Sequence, residues 1–227
     1  MGDLKISGVE AVLFDFEGTL VDHQWRRKEA VEEVLKGLLQ LGLPVEGLRG
    51  RKYALLKHEA INLARALGRN PDEAGQLVDA VFDRFDEDAL LRWNLRPMAK
   101  EFLSLLRRHQ IRTGLVTNLG SKALRKGLQK LALDPLFDTL VSRDDVDHPK
   151  PNGEGIRLAL GRLEVEKEKA FYIGDSLDDL QASKEAGVRV VIIVGGESAS
   201  SEILSQGPDM VIEDYGELIG LFERERR

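Results

Sequence analysis

The hydrophobic positions of this chain change their period twice. Val12, Leu13 and Phe14 form a short continuous apolar run, the pattern of a strand buried on both faces of a parallel sheet. Residues 24 to 93 carry helical patterns instead. Val31, Val34, Leu35, Leu38 and Leu39 make one stripe, closed by Gly42 and Pro44. Leu56, Ala60, Leu63, Ala64 and Leu67 make a second before Gly68, and Val78, Val81, Phe82, Phe85 and Ala89 a third, opened by Pro71 and Asp72. Three stripes in a row predict a small helical bundle.

Beyond Pro97 the two periods alternate. Met98, Phe102, Leu105, Leu106 and His109 give a helix stripe and Ile111 to Val116 a strand; Leu124, Leu128 and Leu131 give the next helix and Thr139 to Val141 a short strand. Ile156, Ala159, Leu160 and Leu163 mark a helix before the strand Ala170 to Ile173, and the runs Val188 to Val194 and Met210 to Ile212 continue the series. Gly195 to Ser201 reads as a surface loop. Such alternation predicts an α/β fold, a Rossmann-like parallel sheet core with helices on both faces. The first strand belongs to that sheet, which makes the bundle an insertion. The expected division is a core of residues 1–21 and 95–227 and a helical insert of residues 22–94.

Composition agrees with this and narrows the function. A chain of 227 residues, 42% hydrophobic, suits one core with a smaller insert. A formal net charge of -6 offers no basic field to a nucleic-acid backbone, so nucleic acid is a poor partner. With no cysteine, disulfides, thiolate metal sites and a cysteine nucleophile are excluded, and oxygen ligands remain. The first ten residues lack the apolar core of a signal peptide, and no apolar run approaches the roughly 20 residues that span a bilayer. A soluble, cytoplasmic protein without a membrane partner is expected, as a monomer or homodimer.

Candidate chemistry gathers at the strand ends, where open parallel sheets bind ligands. Asp15 and Glu17 lie one residue apart after the first run; strand alternation would project both to the same side, and Gly18 and Thr19 then allow a sharp turn with a hydroxyl. Two such acids can divide labour, one attacking or binding a metal while the other moves a proton. Thr117 and Asn118 follow the second strand, and Lys150 sits between Pro149 and Pro151. Gly174, Asp175 and Ser176 follow the strand ending at Ile173, with Asp178 and Asp179 in the next helix. Each has an ordinary reading too: a solvated strand exit, a helix cap, a surface lysine, acids complementing a helix N-terminus. Clustered carboxylates, however, repel one another unless a cation sits among them. Mg²⁺ prefers one or two carboxylates with water and substrate phosphate, and the chain supplies acids without a His or Cys cluster.

In order along the chain, Asp-Phe-Glu-Gly-Thr-Leu from Asp15, Val-Thr-Asn ending at Asn118, Pro-Lys-Pro around Lys150 and Gly-Asp-Ser-Leu-Asp-Asp from Gly174 resemble the four motifs of the haloacid dehalogenase superfamily. The insert between the first two resembles the cap of its phosphoglycolate phosphatase-like branch, and the match covers nearly the whole chain. The resemblance implies a phosphatase in which Asp15 attacks phosphorus and forms an aspartyl-phosphate. It implies Mg²⁺ bound by Asp15, Asp175 and the backbone carbonyl of Glu17, with Asp179 supporting the site. It also implies Thr117, Asn118 and Lys150 on the phosphoryl oxygens, Lys150 offsetting the charge around Asp15, and a small phosphorylated metabolite as partner.

Residue 17 departs from the pattern. Phosphatases of the superfamily usually have Asp there as general acid and base, the dehalogenases Tyr, and the phosphonate-cleaving branch a small residue. Glu17 keeps the carboxyl and adds a methylene. The expectation is a Mg²⁺-dependent phosphatase of a small phosphomonoester with Glu17 as acid and base. The alternatives are a metal-independent 2-haloacid dehalogenase with the same nucleophile, and a weakly active relative that binds a phosphorylated ligand. His23, Arg26 and Arg27 suit either a substrate anion or a solvated helix start, His58 and His109 read as structural, and His148 precedes Pro149 near Lys150.

Overall fold

The structure, a computed structural model, describes residues 6–196 and 200–225. Its strands are β1 (Ala11–Phe14), β2 (Arg112–Val116), β3 (Thr139–Val141), β4 (Ala170–Gly174), β5 (Arg189–Ile193) and β6 (Met210–Ile212). They form one parallel sheet in the spatial order β3-β2-β1-β4-β5-β6. The helices are α1 (Arg27–Gln40), α2 (Tyr53–Ala66), α3 (Pro71–Leu90), α4 (Ala99–Arg108), α5 (Ser121–Lys130), α6 (Glu154–Leu163), α7 (Leu177–Ala186), α8 (Ser200–Ser205) and α9 (Tyr215–Glu225).

Strand β1 lies between β2 and β4 and is buried at all four positions, which is why it is written as an unbroken apolar run. Leu13 and its register partner Tyr172 face a cluster with Ile156, Ala159 and Leu160 of α6 and Leu180 of α7. Phe14 points the other way, 6.1 Å from the ring of Phe102 on α4 and 6.4 Å from that of Tyr215 on α9. Each fully buried side chain of this size contributes about 2 to 3 kcal/mol of burial, so helices on both faces are anchored through one strand.

Trp25–Arg92 forms a compact unit of its own, and the described residues on either side of it form the other. The helical unit is α1, α2 and α3 around Val34, Leu38, Leu56, Ala60, Val78 and Phe82. It is narrower than residues 22–94 because α3 stops at Leu90 and the Trp93 ring packs edge-on against Phe16, at 4.9 Å, within the α/β unit. Leu39 and Leu67, counted on the apolar stripes, are 53% and 49% exposed; they lie at the end of α1 and just past α2, where the buried face has run out. Met98 and His109 likewise flank α4 as its caps. Of the expected loop from Gly195 to Ser201, Glu197, Ser198 and Ala199 lie outside the described residues, and its last two residues open α8 instead. Among the described residues no helix is long and apolar enough to cross a membrane.

Candidate active site

The strand order reverses at β1, and the carboxyl ends of β1 and β4 lie side by side there, the place where open α/β sheets bind ligands. Asp15 follows β1, and its N–H donates to the carbonyl of Ile173 at 2.8 Å, carrying the β1–β4 pairing one residue further. Asp175 follows β4, and Asp179 lies in the first turn of α7. Carboxylate oxygens of Asp15, Asp175 and Asp179 all lie within 4.8 Å of one another, and all three residues are buried. The chain makes room for them with glycine: a Cβ on Gly18, at φ +81°, or on Gly196 would strike the Asp175 carboxylate. Thr19 Oγ1 donates to Asp175 Oδ1 at 3.0 Å. Arg96 secures the surrounding backbone by donating to the carbonyls of Gly18 and Val194, each at 2.6 Å.

Lys150 is the cation of this cluster. Its Nζ donates to Asp15 Oδ1 and Asp179 Oδ1, each at 2.6 Å, and to Tyr172 Oη at 3.0 Å, using all three of its protons. Burial alone would depress its pKa, but the charges of Asp15 and Asp179 outweigh that and raise it, so it stays protonated. The two acids share it unequally. Burial pushes Asp15 up to about 6, against the pull of Lys150 and with help from the charge of Asp179. Burial also pushes on Asp179, yet Lys150, Ser176 and Tyr172 hold it below the usual carboxylate range. The capping box of α7 explains the difference: Asp179 Oδ2 accepts from the N–H groups of Asp175 and Ser176 at 3.2 and 3.1 Å and from Ser176 Oγ at 2.5 Å. Asp179 accepts at both oxygens, from Lys150 and Tyr172 on one side and from the capping box on the other, whereas Asp15 accepts from Lys150 and from the Phe16 N–H.

The other expected residues fall around this centre. Thr117 is buried at the end of β2, its N–H donating to Val141 and its Oγ1 accepting from Leu119 N–H at 3.3 Å. Asn118 clamps the Lys150 backbone from both sides, Nδ2 donating to the Lys150 carbonyl at 2.9 Å and Oδ1 accepting from its N–H at 3.0 Å. Besides Arg96 and the indole of Trp93, Tyr172 and Arg143 escaped the sequence reading. Tyr172 sits inside the apolar run of β4 and looks like core, yet its Oη lies 2.8 Å from Asp179 Oδ1 and 3.0 Å from the Val116 carbonyl. Arg143, almost wholly buried, donates to the Asn118 carbonyl at 3.0 Å. Of the basic residues near the first motif, Arg26 pairs with Asp88 and Arg27 donates to the Gly50 carbonyl; exposed His148 pairs with Glu154.

Glu17 stands apart from the three aspartates. The alternation that would align it with Asp15 stops at Phe14, and the chain turns at Phe16, whose carbonyl accepts from the N–H groups of Leu20 and Val21. The Glu17 carboxylate instead accepts from Trp93 Nε1 at 2.8 Å and from the Gln24 N–H at 3.4 Å.

Three buried carboxylates converge, Lys150 pairing with two of them, and the donors are hard oxygens. That set fits a divalent cation of the Mg²⁺ kind. The model of the haloacid dehalogenase-like hydrolase family matches residues 12–193. The chain belongs to this family. A phosphoglycolate phosphatase of Photorhabdus laumondii is 27% identical over 226 residues, covering 96% of this chain and 94% of the relative. Pyrophosphatase PpaX of Bacillus velezensis is 26% identical, covering 93% and 95%. A crystal structure of a hydrolase from Pseudomonas syringae superposes with a TM-score of 0.73 at 22% identity, covering 95% of this chain and 98% of its own. Within the haloacid dehalogenase-like hydrolases, the chain stands in the phosphoglycolate phosphatase-like branch.

Proposed function

We propose that this hydrolase is a Mg²⁺-dependent phosphatase that cleaves a small phosphomonoester of the cytoplasm through a covalent intermediate on Asp15. The observation that carries the reading is Lys150 Nζ bridging Asp15 and Asp179 in the buried cluster, so that a nucleophilic carboxylate and a fixed cation meet at one point. The names of the phosphatase relatives support it.

In this reading an Asp15 oxygen attacks phosphorus and the leaving alcohol departs, after which water releases phosphate. Thr117 holds a phosphoryl oxygen, and Lys150 turns the proton it now gives Asp15 to another; the Asn118 carboxamide acts indirectly by setting the backbone of Lys150. Asp15, Asp175 and the carbonyl of Glu17 would hold Mg²⁺, which when bound would supply charge neutralisation around the transferred group. Asp179 supports the site by orienting Lys150 and capping α7. Glu17 gives a proton to the leaving oxygen and takes one from the attacking water. The helical unit serves as the cap that chooses the substrate.

The test is phosphate release from a panel of phosphomonoesters with Mg²⁺ and with EDTA, alongside Glu17→Gln. Turnover should require the metal and fall by about 10² to 10⁴-fold in the variant. Halide release from a 2-haloacid in EDTA would overturn the phosphatase, and unchanged turnover in Glu17→Gln would remove Glu17 from the chemistry.

A further inference from the structure

We propose that Trp93 is a positioning residue for the reaction, its indole N–H fixing the Glu17 carboxylate at the reach that the longer side chain gives it. The inference rests on reading Glu17 as the acid and base. The indole is rigidly held: the ring is 2% exposed, meets Phe16 edge-on at 4.9 Å, and lies so close to α5 that a Cβ on Gly127 would come within 2.7 Å of it. The backbone beside it is fixed as well. Asn94 N–H donates to Asp22 Oδ1 at 2.9 Å, Asp22 N–H donates to the Asn94 carbonyl at 3.0 Å, and Leu95 bridges to Val21.

Indole nitrogen is a donor only, and a buried donor without an acceptor is costly, so Trp93 requires an oxygen where Glu17 Oε1 stands. Shortening residue 17 to Asp withdraws the carboxyl by up to one C–C bond, about 1.5 Å. Added to the observed 2.8 Å, that exceeds hydrogen-bond reach. Glu17 and Trp93 are therefore a matched pair: the extra methylene spans the distance to a donor locked in the fold. Fixing a flexible acid in one rotamer removes the cost of ordering it when substrate arrives.

Trp93→Phe keeps a ring against Phe16 and removes the donor with part of the indole's packing. It should lower kcat about 10-fold while KM stays within about twofold, because the group positioned acts in proton transfer rather than in binding. In the Glu17→Asp background, where the bond is already lost, the same change should add less than about twofold. An equal loss in both backgrounds, or an unchanged kcat in Trp93→Phe while Glu17→Gln is crippled, would overturn the proposal. Gln at this position still offers an acceptor to the indole but moves no proton, so full activity in Glu17→Gln would instead refute the Glu17 reading on which the proposal depends. A measurement in the otherwise intact chain stands beside these. The Trp93 indole N–H resonance, one of two in the chain, should move upfield in Glu17→Asp, and a stationary resonance would also overturn the proposal.

Discussion

The chain's two tryptophans make the same bond in different surroundings. In the α/β unit Trp93 Nε1 donates to Glu17 Oε1 at 2.8 Å, and in the helical unit Trp25 Nε1 donates to Asp86 Oδ1 at 2.8 Å. Asp86 is 1% exposed and lies beneath a small aromatic cluster, Trp25 against Phe82 at 4.9 Å and Phe85 at 6.2 Å. Glu17 is half-buried, two residues in sequence from Asp15 and its cluster of three buried acids. The bond itself does not say whether it serves stability or chemistry; the charge that surrounds it does. Both units carry ordinary pairs at the surface, Lys57 with Asp79 in one and Lys169 with Glu10 in the other, and the helical unit buries the single acid Asp86. The α/β unit alone gathers three buried acids around a buried lysine among the described residues.

Asp15→Asn draws that contrast most strongly. If Asp15 is the nucleophile, its loss should lower turnover by about 10⁴-fold or more. It should also raise the melting temperature in metal-free buffer, since it neutralises a carboxyl that burial and the neighbouring Asp179 already disfavour as an anion. Steady-state turnover and a thermal melt read the two effects, and surviving activity would sink the assignment of Asp15.

Lys150→Met comes next. It strands Asp15 and Asp179 without their cation, and breaking a buried pair costs about 3 to 5 kcal/mol, or roughly 10 °C in a chain of this size. Part of that loss should return on adding Mg²⁺, which neutralises the same acids. Lys57→Met breaks a pair of similar distance at 2.8 Å, but its partners are about a third exposed, so it should cost less than about 1 kcal/mol. Equal losses in the two variants would show that burial does not set the difference between the units.

How much of this was readable from the sequence follows from the range of each interaction. Asp15, Thr117 and Asp175 each follow a strand directly, and strand ends of a parallel sheet converge, so short motifs located them. The helical stripes were readable for the same local reason and failed where helices end, at Leu39, Leu67, Met98 and His109. The partner of Glu17 was not readable. Trp93 lies 76 residues away in sequence, beyond the helical insert, and nothing in the spacing of acids after β1 points to an indole. Tyr172 was hidden differently: it occupies a core position in β4, and only its hydroxyl, which strand patterning ignores, reaches Lys150 and Asp179. Asn118 was found as part of a motif, but its carboxamide turns to the Lys150 backbone, a contact across 32 residues.

Trp25→Phe should have the smallest effect and is the counterpart of the Trp93 change. It removes an indole donor from a carboxyl that is almost wholly inaccessible to water, a loss worth about 1 to 2 kcal/mol when a buried acceptor forfeits a hydrogen bond. Phe keeps an aromatic ring near Phe82, so the cluster loses the hydrogen bond and part of its packing rather than its whole centre. Chemical denaturation should register a lower midpoint for the helical unit while kcat stays within about twofold, because Trp25 and Asp86 lie in the unit without the acid cluster. Trp93→Phe should show the reverse emphasis, a loss in kcat larger than its cost in stability. If the two variants lose stability and turnover in the same proportion, the tryptophans are equivalent structural anchors, and the distinction between a bond that steadies a core and a bond that aims an acid has no basis in this protein.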